Sequence, residues 1–224
     1  MAKPAQRLWT DVDHYFGRLI PPDAVADAAL QANRKADLPA IDVTPLQGMF
    51  LDLLVRISGA LRVLEIGTLG GYSTLWLARA LPRNGTVVSL ELDPHHAEVA
   101  RANLGYAGVL DRVEIRIGRA TDSLQSLVAE GAEPFDFIFI DADKAGYPDY
   151  LSWSLKLAHV GTVILADNVV RDGKVIDPDS PDANVQGVRR FTDLVADEPR
   201  LRTTVLQTVG SKGYDGFALS VVIS

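Results

Sequence analysis

From residue 61 onward, short apolar runs alternate with segments whose apolar residues recur at helical spacing. The runs are RVLEIG (62–67), TVVSLE (86–91), VEIRIG (113–118), FDFIFID (135–141), TVILAD (162–167), RTTVLQ (202–207) and FALSVVI (217–223). Helical patterns separate the first six. Near-continuous Val, Ile, Leu and Phe runs joined by helices predict a parallel sheet covered on both faces. The last link, TVGSKGYDG, is too short and too glycine-rich for a crossover helix, so the seventh strand is predicted antiparallel to the sixth.

Before residue 61 the pattern is helical. Thr10 is placed to cap DVDHYFGRLI, with Asp13 in the first turn, and Pro21-Pro22 to stop that helix. Asp23 is placed to cap AVADAALQANRKAD. Thr44-Pro45 opens PLQGMFLDLLVRIS, and Gly59 closes it. The expectation is one domain over 1–224, with a helical segment at 1–58 and a sheet core at 59–224.

At 224 residues and 47% hydrophobic, the chain can bury a large core. A net charge of −7 argues against gripping nucleic acid or an anionic membrane by bulk electrostatics. There is no cysteine, hence no disulfide framework, thiolate metal site or thiol nucleophile. The four histidines, His14, His95, His96 and His159, form no zinc-hydrolase pair. The opening residues lack the apolar run of a signal peptide, and no long apolar window suggests a membrane span. The expected setting is the cytoplasm.

In open parallel sheets, ligands sit beyond the carboxyl ends of the strands. The first strand runs into Leu64-Glu65-Ile66-Gly67-Thr68-Leu69-Gly70-Gly71-Tyr72-Ser73-Thr74. A dinucleotide fingerprint starting at Gly67 needs glycine where Leu69 and Tyr72 stand. The mismatch suggests a nucleoside ligand without phosphate, such as S-adenosylmethionine (SAM). Glu65 is an unusual residue for a buried strand unless it serves a cation or a donor. Glu91, ending the second strand, is placed to accept both hydroxyls of a ribose. A glycine turn with a solvated strand-end glutamate would give the same local sequence.

Asp141-Ala142-Asp143-Lys144 follows the fourth strand, and Asp167-Asn168 ends the fifth. If those strands are neighbours, Asp141, Asp167 and Asn168 converge as oxygen ligands. Such a set suits a hard divalent cation, magnesium or calcium. Acids at strand ends are otherwise solvated or cap the next helix. Lys144 lies one turn past Asp141. A nearby dication disfavours its ammonium form, which makes it a candidate general base; the alternative is an ion pair with an acid nearby.

The ordered motifs LEIGT-GGYST, Glu91, FIDADK and ADN resemble those of the cation-dependent class I SAM O-methyltransferases, the family of catechol and caffeoyl-CoA O-methyltransferases, and look closest to its bacterial branch. The resemblance runs from about Val43 to the C-terminus. It implies an α/β, Rossmann-like, doubly wound seven-stranded sheet with its last strand antiparallel and helices at the N-terminus. It implies methyl transfer from SAM to a hydroxyl of a small, catechol-like aromatic acceptor, assisted by magnesium or another divalent cation. By the resemblance, Asp141, Asp167 and Asn168 hold the metal and Lys144 is the catalytic base. Glu91 binds the ribose, while Glu65, Gly67, Thr68 and Ser73 line the methionine end. Val43 contacts SAM from the N-terminal segment, Ala120 borders the adenine, and Asp141, Asp143 and Tyr150 lie against the cofactor. It also implies a homodimer. Asp172 stands where the plant caffeoyl-CoA enzymes carry Asn, and the N-terminal region has no basic cluster of the kind that holds a CoA phosphate. The polar segment Arg171–Asn184 is expected to cap the site and set acceptor choice.

Three other readings are open. One is a tRNA wobble-hydroxyuridine methyltransferase, which a basic stripe of Arg34, Lys35, Arg56, Arg62 and Lys212 would favour. A second is an NAD-type dehydrogenase, against which the broken glycine fingerprint counts. A third is a non-catalytic binding protein, against which the DADK and DN set counts.

Overall fold

The structure is a computed structural model that describes residues 4–224. Three helices come first: α1 (Pro4–Gly17), α2 (Ala24–Lys35) and α3 (Pro45–Ser58). Then β1 (Arg62–Ile66), α4 (Tyr72–Ala80), β2 (Thr86–Glu91), α5 (Pro94–Tyr106), β3 (Val113–Ile117), α6 (Ala120–Ala129) and β4 (Phe135–Ile140) alternate. They are followed by α7 (Tyr147–Ser154), β5 (Ala158–Asp167), α8 (Ala183–Asp197) and the hairpin β6 (Leu201–Gly210) and β7 (Gly213–Val222).

The seven strands form one sheet in the order β3-β2-β1-β4-β5-β7-β6. β1 to β5 pair in parallel, and β7 runs antiparallel to both β5 and β6. The predicted doubly wound architecture is therefore the observed one. Alternation along the strands splits the core in two. Leu64, Ile66, Ile138 and Ile140 face the layer of α6, α7 and α8. Val63, Phe137 and Phe139 face the layer holding α3 and α4. No helix among the described residues is long and apolar enough to cross a membrane.

Local signals placed the start of α2 and both ends of α3, whereas α1 ends at Gly17, short of Pro21-Pro22. Asp23 Oδ1 accepts from the amides of Val25 and Ala26, and Thr44 Oγ1 accepts from the amide of Gln47 at 3.1 Å. Gly59 closes α3 in the left-handed conformation. Thr10 is a correction: it lies inside α1, where its hydroxyl donates to the carbonyl of Gln6 at 2.9 Å. Nothing after Pro4 breaks the helical run, and proline favours the first helical position, so α1 starts earlier than the capping pattern suggested. The last three strands are also longer than their apolar runs. The β6–β7 ladder pairs Leu201 with Val222 through to Gly210 with Gly213, because backbone hydrogen bonds extend it through polar residues. Most of the expected glycine-rich link is thus strand, with Ser211 and Lys212 left as the turn.

Candidate active site

The strand order switches direction at β1, whose neighbours are β2 and β4, and the crevice beyond their carboxyl ends is where open sheets bind ligands. A cavity of about 670 Å³ opens there. Eleven of the thirteen expected site residues line it: Val43, Gly67, Thr68, Ser73, Glu91, Ala120, Asp141, Asp143, Lys144, Tyr150 and Asn168. Glu65 and Asp167 sit beneath its wall rather than on it.

The floor is the glycine turn. Gly67 has φ of +100°, and a β-carbon there would overlap the carbonyl oxygen of Asp141, so only glycine lets β1 and the β4 end close up. Leu69 also has a positive φ and donates its amide to Glu91 Oε2 at 2.8 Å. Glu91 Oε1 accepts from the amide of Asp93 at 3.0 Å and lies 3.4 Å from His96 Nδ1. The glutamate is thereby held rigidly at the cavity edge, with lone pairs left over.

Glu65 is fully buried on the α4 side of β1. Ser73 donates to Oε1 at 2.6 Å, and Thr74 and Ser89 each donate to Oε2 at 2.5 Å. Burial pushes its carboxyl up to about 7 despite these three hydroxyls. Its visible work is to tie α4, β1 and β2 together beneath the turn, placing Ser73 on the cavity wall.

At the other end, β4 and β5 pair through Ile140 and Ala166, so Asp141 and Asp167 follow side by side. Lys144 Nζ donates to Asp141 Oδ1 at 2.7 Å and to the carbonyl of Ala142 at 3.0 Å, and it lies 5.1 Å from the Tyr147 ring centre. Asp143 accepts from the Gly146 amide and, at 2.5 Å, from the Tyr150 hydroxyl; burial and that bond raise the Tyr150 phenol. Asp167 Oδ1 accepts from the amide of Asn168 at 2.8 Å, and Oδ2 accepts from Gln47 Nε2. Burial first, and then the Asp141 carboxylate, raise Asp167 to about 7.

Among the described residues, no three His, Cys, Asp or Glu side chains form a metal-like group. The candidate set is two carboxylates and an amide. Its chemistry fits a hard dication: the donors are oxygen, and two acids are forced together at adjacent strand ends, where the Asp141 carboxylate disfavours ionisation of Asp167. Asn168 has a φ of 55°, a left-handed conformation that asparagine tolerates and that holds it at the cavity wall. A cation there and the Lys144 ammonium would compete for Asp141.

The profile of the O-methyltransferase family matches residues 24–220. The chain belongs to that family. It is 50% identical over 217 residues to a catechol O-methyltransferase of Niastella koreensis, covering 96% of this chain and 98% of that one. Its structure matches the O-methyltransferase of Bacillus cereus, solved in complex with SAH, with a TM-score of 0.96 and 58% identity over 97% of this chain and 99% of that one. It matches TomG of Streptomyces achromogenes, an O-methyltransferase of tomaymycin synthesis solved with SAM, with a TM-score of 0.95 and 48% identity over the whole of both chains.

Several residues of this O-methyltransferase's site carried no sequence signal. Gln47 reaches Asp167 from α3, and Thr74 and Ser89 hold Glu65. Asn184 Oδ1, at the start of α8, accepts the Lys144 amide at 3.1 Å. Gly187, one turn on, has no room for a β-carbon against the Lys144 carbonyl, so α8 seats directly on the lysine's backbone. Tyr147 is fully buried, and its hydroxyl lies 3.0 Å from the Ile140 carbonyl and 2.8 Å from that of Asp167, joining the two strand ends. Asn33 donates to Asp42 Oδ1 at 2.7 Å and accepts from Asn103, fastening the cavity-lining segment before α3 to the glycine turn. The segment 171–184 walls the site on one side, with Arg171 and Asn184 on the cavity surface.

Proposed function

We propose that this enzyme transfers a methyl group from SAM to a hydroxyl of a small, catechol-like aromatic acceptor, with a divalent cation such as magnesium assisting. The observation that carries the reading is the placement of Asp141 and Lys144 beside Asp167 and Asn168 at one end of a cavity whose other end presents Glu91. The relatives named catechol O-methyltransferase and the neighbours solved with SAH or SAM support the acceptor class and the methyl donor.

In this reading Glu91 accepts the ribose hydroxyls, and Ala120 and Tyr150 border the adenine side. Val43, Thr68, Ser73 and Asp143 hold the methionine end above Gly67. Lys144 takes the acceptor proton on Nζ, and the freed oxygen attacks the sulfonium methyl in line; the sulfur leaves with the bonding pair. Holding the two reactants in contact supplies much of the acceleration. Both lose charge as they react, so a walled site helps. Asp141, Asp167 and Asn168 would hold the cation, whose positive charge favours loss of the acceptor proton.

Two of the five cations that would suit a tRNA are otherwise engaged: Arg56 pairs with Asp52 at 2.7 Å, and Lys212 turns inward to the Asp42 carbonyl. The proposal extends to a homodimer through α1, whose Leu8, Val12, Tyr15 and Phe16 are exposed. Incubating the full chain with SAM and catechol, with magnesium and with chelator, tests the core of the reading. Methylated catechol that depends on the metal is expected. Full activity in chelator removes the cation, and no transfer to any catechol removes the acceptor class.

A further inference from the structure

A second cavity, of about 520 Å³, lies between α1, the segment after β5 and the β6–β7 turn. Trp9 and Tyr214 give it aromatic walls, and Arg171 is the residue it shares with the cavity described above. Arg171 therefore stands on the wall between the two cavities. Its loop is held in a costly shape. Asn168, Arg171 and Asp172 all have φ near 55–57°, a region unfavourable for side chains other than asparagine's and aspartate's. Asp215 holds the loop in that shape, with Oδ1 accepting from the amides of Val170 and Arg171 at 3.0 and 2.9 Å.

The guanidinium so placed is poorly partnered. Its Nε is buried without a hydrogen bond, and its nearest carboxylate oxygen, Asp215 Oδ2, is 3.9 Å from Nη1. The other charges of the second cavity are engaged or exposed. Asp182 caps α8 through the Asn184 amide, Lys212 donates to the Asp42 carbonyl, Asp215 spends Oδ1 on the amides of Val170 and Arg171 with Oδ2 kept 3.9 Å from Arg171, and Lys174 and Asp172 are exposed at the rim. What stands out on the shared wall is the Arg171 guanidinium, whose Nε has no partner and whose contact with Asp215 is long. A buried donor without a partner is costly, and a ligand that supplies an acceptor recovers that cost.

We propose that Arg171 is a specificity-determining residue: it binds a carboxylate carried by the acceptor, so the enzyme selects acidic catechols over neutral ones. The proposal rests on the catechol reading above. The acceptor's hydroxyls face Lys144 in the first cavity, and its acidic arm reaches Arg171 on the same cavity's wall. The planar fork of arginine suits a carboxylate.

The test compares 3,4-dihydroxycinnamate with its methyl ester, which keeps the ring and loses the charge. With the full chain, SAM and magnesium, kcat/KM should favour the acid by about tenfold or more, the size of one charge-assisted bond. Arg171→Gln should bring the ratio close to one, and Arg171→Lys should retain part of it. Equal use of acid and ester by the wild type, which needs no folded variant, overturns the proposal; so does a full preference kept in Arg171→Gln. Calorimetry of both probes on the SAH-loaded protein reads the same ratio without turnover. Tighter binding of the acid with no methyl transfer supports the Arg171 site and counts against the catechol reading. Equal binding overturns the Arg171 site.

Discussion

Gly67 and Asp141 meet backbone to backbone: the α-carbon of the glycine packs against the aspartate's carbonyl, with no space for a side chain. The contact joins the turn under one end of the cavity to the DADK segment at the other. Gly67→Ala must both strain a φ of +100° and push the two strand ends apart. A loss of roughly 1–3 kcal/mol is expected. At this chain length that lowers Tm by about 2–4 °C per kcal/mol. Calorimetry with and without SAH should show the lower Tm and a weaker SAH-induced rise. An unchanged Tm would contradict the close approach.

Glu91 carries the ribose assignment. Its amide bonds to Leu69 and Asp93 fix its direction, so Glu91→Ala removes the acceptor and loosens the turn. SAH binding should weaken by about tenfold or more, the worth of one or two charge-assisted bonds. Isothermal titration gives the answer directly, and an unaltered affinity would move the ribose elsewhere.

Lys144 touches Asp141 but takes no part in the adenosine end of the cavity. Lys144→Ala should therefore bind SAH nearly as the wild type does while turnover falls by roughly 10²–10⁴, the usual worth of a general base. Raising the pH should recover part of the loss, because a pre-ionised catechol needs no base. Activity in the variant equal to wild type at neutral pH would sink the role.

Glu65 makes a pH prediction. Its folded-state pKa of about 7 lies above the ordinary 4.5, so the folded protein holds this proton more tightly than the unfolded chain does. The stability it contributes is fully present below about pH 4.5 and is lost as pH rises through about 7. Glu65→Gln removes that titration. Between pH 4.5 and 8, wild-type stability should fall by roughly 1–3 kcal/mol relative to the variant. Urea unfolding in chelator at both ends of the range measures it. The same difference at each pH would show that Glu65 is ionised throughout.

The exposed residues Leu8, Val12, Tyr15, Phe16 and Leu19 on and after α1 lie near the open edge of β6, which exposes Val205, Leu206 and Val209. Such a surface is larger than scattered single residues need explaining, and pairing two copies would cover it. Light scattering at micromolar concentration should give twice the mass of one chain, and Leu8→Glu with Phe16→Glu should halve it. A monomer in the unmodified protein would refute the pairing.

The chain order of strands and helices, the caps at Asp23 and Thr44, the stop at Gly59 and the antiparallel last strand were readable from the sequence because each rests on neighbours a few residues apart. The same holds for the glycine turn and for DADK and ADN, whose residues lie together at strand ends. Thr10 shows the limit of local reading: a good capping residue sits mid-helix when nothing upstream breaks the run. Only the tertiary structure decided that β4 lies beside β5, which makes Asp141 and Asp167 neighbours. It also decided that Gln47, from a helix more than a hundred residues earlier, holds Asp167, and that Thr74 and Ser89 surround Glu65. Arg171 owes its place to the same level, since Asp215 on the following hairpin clamps its loop into a left-handed turn. Hydrophobic period and capping chemistry act over one turn or one strand and leave a trace in sequence. A hydrogen bond between distant elements depends on how the sheet is ordered, and no spacing along the chain records it.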